Sequence, residues 1–164
     1  FEGGVRSSLV AWAPKLMAEK AKGMINKESI FSAIDLVPTL LEITGTKAPM
    51  GIKFDGESLP DILLGKSNAS RMQDLFFRRP PDRDSFYGVK DLPDLAIRSG
   101  KWKLLCEYDG SDALLYDLTQ DRGEKNNLAQ QHPKIVKELS QKVITWHKSM
   151  PLDSGPQMIA GNKK

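Results

Sequence analysis

Cysteine is almost missing from this chain. Cys106 stands alone, so no internal disulfide is possible, and one thiol does not fix the redox compartment. Histidine is nearly as scarce: His132 and His147 lie fifteen positions apart with no Cys or third His nearby, so neither belongs to a local metal set. Long apolar runs are missing too. The longest stretch free of charged residues, 154–162, is about half of what a membrane span needs, and the chain is not read as crossing a bilayer. Charge of one sign is lacking: 24 Lys and Arg against 21 Asp and Glu leave +3, scattered along the sequence, and no nucleic acid is implied. The chain also starts without Met and without a charged-then-apolar leader. Phe1-Glu2-Gly3-Gly4 looks like the interior of a protein, so the expectation is a fragment whose upstream portion is missing.

What is present is ordinary globular material. The 164 residues, 40% apolar and 27% charged, suit one domain or a piece of one, with a core that needs no disulfides. Residues 8–13 (Ser-Leu-Val-Ala-Trp-Ala) form an apolar run ended by Pro14 and read as a strand buried on both faces, although the chain supplies no evident neighbours for it. Residues 15–29 are polar and basic and read as a surface connection. Apolar residues at 30, 34, 37 and 41 have helical spacing, and Gly45 follows as a C-terminal cap, giving a helix over about 32–44. Ser32 with Asp35 fits a capping box, whereas Pro38 favours a start nearer Asp35. Ser58 before Leu59-Pro60-Asp61, with Gly65 beyond, predicts a short helix over 59–64.

From Asp74 the pattern changes to strands: 75–77, 95–98, 102–106 and 114–116. Ser99-Gly100-Lys101 and 109–112 supply turn chemistry, so the last three form an antiparallel meander. Pro133 opens a helix, 133–150, whose face of Ile135, Leu139, Val143, Trp146 and Met150 packs on that sheet. The tail from Pro151 reads as extended.

Few constellations carry chemistry. Residues 2–6 lack the third glycine and the Lys-Ser/Thr ending of a phosphate cradle and read as a tight turn into a strand. Residues 117–124 resemble a calcium loop, but Thr119 and Arg122 occupy ligand and glycine positions, which leaves a turn. Asn68-Ala69-Ser70 fits the glycosylation pattern, a three-residue match. Cys106 sits in an apolar strand with no base placed beside it, as inert buried cysteines do. Arg78-Arg79-Pro80-Pro81-Asp82-Arg83 gathers three guanidinium groups at a strand end, suited to sulfate, phosphate or carboxylate; the plainer reading is solvated surface.

Taken in order, five stretches resemble the C-terminal portion of the sulfatase family, hydrolases of sulfate esters. They are residues 1–6 with 9–14; 32–41 with Gly45; 54–59; 96–104; and 115–118 with Asp121, Glu124, Asn127, Leu128 and Ala129. The likeness is greatest to the branch of N-acetylgalactosamine-6-sulfatases and related bacterial glycan sulfatases. It implies an α+β chain: residues 1–72 as the end of an alkaline-phosphatase-like α/β domain, and 73–164 as a C-terminal subdomain of four antiparallel strands with a packed helix. It also implies a parent enzyme in which Cys or Ser of Cys/Ser-x-Pro-x-Arg becomes formylglycine beside a calcium ion held by Asp and Asn. None of that set is in this chain, where Cys106 is followed by Glu107-Tyr108-Asp109-Gly110, and the family's sulfate-binding Lys would fall just upstream of Phe1.

Catalytic and metal residues are therefore expected in the upstream part of the same sulfatase, this segment's natural partner, and the segment alone is expected to be inactive. Arg78, Arg79 and Arg83 fall where some members place side chains that touch a sulfated carbohydrate. The resemblance further implies export to a periplasm, lysosome or cell exterior. Two rival readings are a stand-alone module that binds an acidic polysaccharide through Arg78, Arg79 and Arg83, and a purely structural interaction domain. In an autonomous module, residues 9–12 must be covered by the rest of the chain.

Overall fold

In a computed structural model of the chain, residues 2–79 and 93–151 are described. The backbone divides into two units, one of Phe1–Arg6 with Asp74–Lys164 and one of Ser7–Gln73.

In the first unit, β1 (Leu75–Arg78), β2 (Leu95–Ser99), β3 (Trp102–Cys106) and β4 (Leu114–Asp117) form one antiparallel sheet in that order. The meander expected from the turn residues is therefore present, with a fourth strand at its edge. Ser99 pairs with Trp102, which leaves a two-residue loop. Its first residue, Gly100, has φ 54°, the left-handed backbone that a tight hairpin requires. Strand alternation sends Leu95, Ile97, Leu104, Cys106 and Leu115 to one face, where they form a core with Leu139 and Val143. The other face buries Leu105, Tyr116 and Leu118.

The helix that covers the first face is α4, Pro133–Ser149. Pro133 suits the first helical position, where no amide is needed, and His147 and Lys148 lie in the last turn, where the helix dipole favours cations. Burying Leu139 and Val143 stabilises the unit by roughly 1.5–3 kcal/mol each. Trp146 stacks on Phe76 at 5.3 Å between ring centroids, and Lys142 reaches Asp74 at 3.1 Å. Between β4 and α4 the chain runs through turns. The Asn127 side-chain oxygen accepts the Leu115 and Ala129 amides, and Asp121 accepts those of Lys125 and Asn126.

A one-turn helix, α1 (Glu2–Val5), stands where a tight turn into a strand was expected. The strand itself does not form. Residues 6–13 have no regular secondary structure, and Leu9, Val10 and Trp12 are 54%, 89% and 85% exposed. A strand buried on both faces needs partners on both sides, and every strand among the described residues belongs to the first unit's meander.

In the second unit, both signals at the start of the 32–44 helix are honoured. Ser32 and Asp35 make the capping box around a 3-10 turn, Ala33–Asp35, and α2 then runs over Leu36–Thr44 with Pro38 in its first turn. Gly45 (φ 65°) ends it: its amide and that of Thr46 return to the Glu42 and Leu41 carbonyls. α3 spans only Pro60–Leu63, shorter than expected. Ser58 is not its cap, because its hydroxyl goes to Glu42 and the Pro38 carbonyl; the cap position is Leu59, whose amide is taken by Thr39.

The fully buried positions in and just before α2 are polar. Asp35 and Thr39 are fully buried, while Ile34, Val37 and Leu40 are 45%, 53% and 49% exposed. Asp35 holds the unit together. It accepts the Ser32 and Glu57 amides at 2.7 and 2.9 Å and pairs with buried Arg71 at 3.1 Å. Gly56 fits this arrangement because a Cβ there would lie 2.0 Å from the Ile34 carbonyl oxygen.

Candidate functional site

The strand-end arginines lie at one edge of the sheet in the first unit. Arg78 is the last residue of β1 and shares the α4 face with Phe76; it donates to the Pro151 carbonyl at 3.2 Å. Arg79 follows it. Its amide bonds to the Asp94 carbonyl at 2.8 Å, and its guanidinium meets the Asp94 carboxylate at 3.1 Å. Arg83, with residues 80–82, lies outside the described residues, as does the tail beyond Pro151. Arg78 and Arg79 are thus neighbours in sequence whose guanidinium groups are bonded to different protein groups.

Four further residues join them that the sequence reading did not single out for this site. Arg78, Leu95 and Cys106 are aligned across β1, β2 and β3, so the next positions outward are Arg79, Asp94 and Glu107. Tyr108 donates its hydroxyl to the Arg79 carbonyl at 3.2 Å and lies 4.8 Å, between centroids, from the His147 ring. Only the pairing register reveals this row. Nothing local in Asp94 or Glu107 marks them, but once 75–78, 95–99 and 102–106 are laid side by side their alignment follows.

The row mixes charges in a way that tunes its members. Burial pushes the Glu107 carboxyl above the usual range, and a hydrogen bond to Asp94 and the charges of Asp94 and Asp112 add to this; Arg79 acts the other way. Burial likewise pushes the Cys106 thiol up to about 11, helped by Glu107. Cys106 is fully enclosed beneath α4, so it is a core side chain held as a thiol. His132 packs against Trp102, a structural position.

The arrangement can present an arginine-rich edge to an anion or to sugar hydroxyls. It offers no nucleophile beside a base. Asp117 and Asp121 are occupied by turn amides and Lys101, and no group of three or more His, Cys, Asp or Glu side chains able to hold a metal occurs among the described residues. These residues therefore do not fit a calcium site or a formylglycine nucleophile.

Comparison with known proteins covers nearly the whole chain. Residues 1–149 match the family model described as N-sulphoglucosamine sulphohydrolase, C-terminal. Mouse arylsulfatase K is 32% identical over 148 residues, 87% of this chain and 25% of the relative. Human arylsulfatase A is 30% identical across 98% of this chain and 34% of its own length. N-acetylgalactosamine-6-O-sulfatase of Bacteroides thetaiotaomicron is 30% identical, covering 86% and 27%. A solved protein of that bacterium, described with its metabolism of multiple glycosaminoglycans, superposes with a TM-score of 0.55 at 26% identity, covering 73% of this chain and 25% of the other. The chain spans between a quarter and about a third of these curated relatives.

Proposed function

The chain belongs to the sulfatase family, matching its C-terminal domain, and we propose from that premise that it is the C-terminal part of an enzyme hydrolysing sulfate esters of sugars. The observation that carries this reading is the pairing of a family match over residues 1–149 with apolar surface left uncovered in the second unit. Leu9, Val10 and Trp12, with Ile34 in the 3-10 turn and Val37 and Leu40 on α2, are the kind of surface that packs against more protein. The partner in this reading is the upstream portion of the same sulfatase. A stand-alone polysaccharide module would have to cover residues 9–12 itself, and their exposure weighs against it.

Cleaving a sulfate ester needs an attacking group and concentrated positive charge where oxyanion character develops. The family's formylglycine and calcium supply these, and in this reading both reside in the upstream portion. The contribution of the present chain is a wall of the substrate cleft. Arg79, held in place by Asp94 and by Tyr108 on its carbonyl, and Arg78, next to it, are the side chains proposed to meet the sulfated carbohydrate. The family likeness leads us to propose export to a periplasm, lysosome or cell exterior; no helix among the described residues is long and apolar enough to cross a membrane.

The test is sulfate release from sulfated disaccharides by the protein encoded with its upstream frame, compared with Arg79→Ala. The reading expects turnover, with KM for the sugar raised about tenfold or more by the substitution and little change toward a small aryl sulfate. An upstream frame without Cys/Ser-x-Pro-x-Arg, or no sulfate release, would overturn it.

A further inference from the structure

A shallow groove runs along α4, between the helix and the β3–β4 turn. Its floor is apolar. Val136 and Ile144 line it, and Gly110 closes one side so tightly that a Cβ there would come within 3.0 Å of the Ile144 methyl. Along the helix rim stand Lys137, Gln141, Thr145 and Lys148, all exposed. Spacings of four, four and three residues place them on one stripe, with the backbone positions of the two lysines about 16 Å apart along the axis.

Among the described residues the charge of this rim is uncompensated. Lys142, on another side of α4, is engaged by Asp74 and Glu138, but Lys137 and Lys148 have no ion-pair partner among the described residues. Among the described residues Asp109 is the only acidic one lining the groove, and its carboxylate accepts the Ser111 amide of its own loop at 2.8 Å. Two free cations separated by an amide and a hydroxyl, above an apolar floor, complement a ribbon-like polymer with repeated negative charges and hydroxyl groups. A compact anion would engage only one end.

We propose that this groove is a second binding surface that holds an anionic polysaccharide chain and so keeps the protein on its polymer. The choice of a sulfated polymer as probe rests on the reading of substrate class above, but the binding needs no catalysis. The two ideas can therefore fail separately.

The test measures binding of chondroitin sulfate chains to the full protein by affinity electrophoresis, with chemically desulfated chains and neutral dextran alongside. Lys137→Glu/Lys148→Glu is compared with Lys47→Glu/Lys53→Glu, which makes the same change in net charge at exposed lysines of the other unit. The groove variant is expected to lose roughly fivefold to tenfold in affinity, with the control pair near wild type, and added salt should erase the difference. Circular dichroism establishes that each variant is folded; if the charge reversal unfolds α4, Lys137→Gln/Lys148→Gln replaces it and is expected to lose about threefold or more. Equal losses in the groove and control pairs would reduce the effect to net charge and overturn the proposal. So would unchanged affinity in the groove variant, or wild-type binding to dextran as tight as to chondroitin sulfate.

Discussion

Lys103 Nζ lies 2.8 Å from the Glu124 carboxylate, and both side chains are only 3% exposed. One comes from β3 and the other from the turns after β4, where Glu124 adopts a left-handed backbone (φ 52°). This sealed ion pair ties the loop to the sheet face opposite α4. Removing Lys103 takes this ion-pair partner from the buried Glu124 carboxylate, so Lys103→Met is expected to cost about 3–5 kcal/mol in urea unfolding. Lys103→Met/Glu124→Leu is expected to cost less than the sum of its single changes. Additive losses would show that the two groups do not act as a pair.

The second unit has its own polar centre. Asp35→Ala strips partners from the Ser32 and Glu57 amides and leaves buried Arg71 with only the Glu57 carboxylate, 3.6 Å away. The expected cost is again about 3–5 kcal/mol, confined to that unit. Hydrogen exchange reads it directly: amides of α2 should lose protection while those of β2 and β3 keep theirs. Uniform loss across both sets would contradict this localisation.

Acid should separate two carboxylates of the sheet. A hydrogen bond from Lys101, then one from Thr119, holds Asp117 down at about 2. Its folded value lies below its unfolded value, so its contribution is fully present above about pH 4 and is lost as pH falls toward 2. Asp117→Asn should lower stability at neutral pH and flatten that acid limb. Glu107 has the opposite sign: its raised folded value favours the protonated form, so stability declines as pH rises through it. Glu107→Gln should remove that decline, as thermal melts between pH 3 and 8 would record; an unchanged profile in either variant would count against the assigned cause.

Cys106 offers a chemical probe of the core. Sealed under α4 and pushed up to about 11, the thiol should resist iodoacetamide at pH 8 in the folded protein and react readily in denaturant. Fast labelling of the native chain would mean that α4 does not close over β3 as described.

Much of the first unit was legible in the sequence because its signals are local and agree. Gly100 fixes one hairpin, Pro133 opens α4, and strand alternation sorts Leu104 from Leu105. The second unit was harder to read. Periodicity at 30, 34, 37 and 41 points to a helix, but α2 begins only at Leu36, a hydrophobic stripe does not say what covers it, and the fully buried positions are Asp35 and Thr39. The run 8–13 fails for a related reason, since strand propensity needs neighbours that the described residues do not provide. At the candidate site, Arg78 and Arg79 stand out by composition. Asp94, Glu107 and Tyr108 do not, because register and not local chemistry brings them there.

Incubating the 164-residue chain by itself with calcium and 4-nitrophenyl sulfate tests most directly whether the bond-breaking apparatus lies outside it. The account predicts no release of nitrophenol above the buffer rate. Turnover that survives repurification and disappears on denaturing the chain would contradict it, because it would place an attacking group and a charge-stabilising site within these residues.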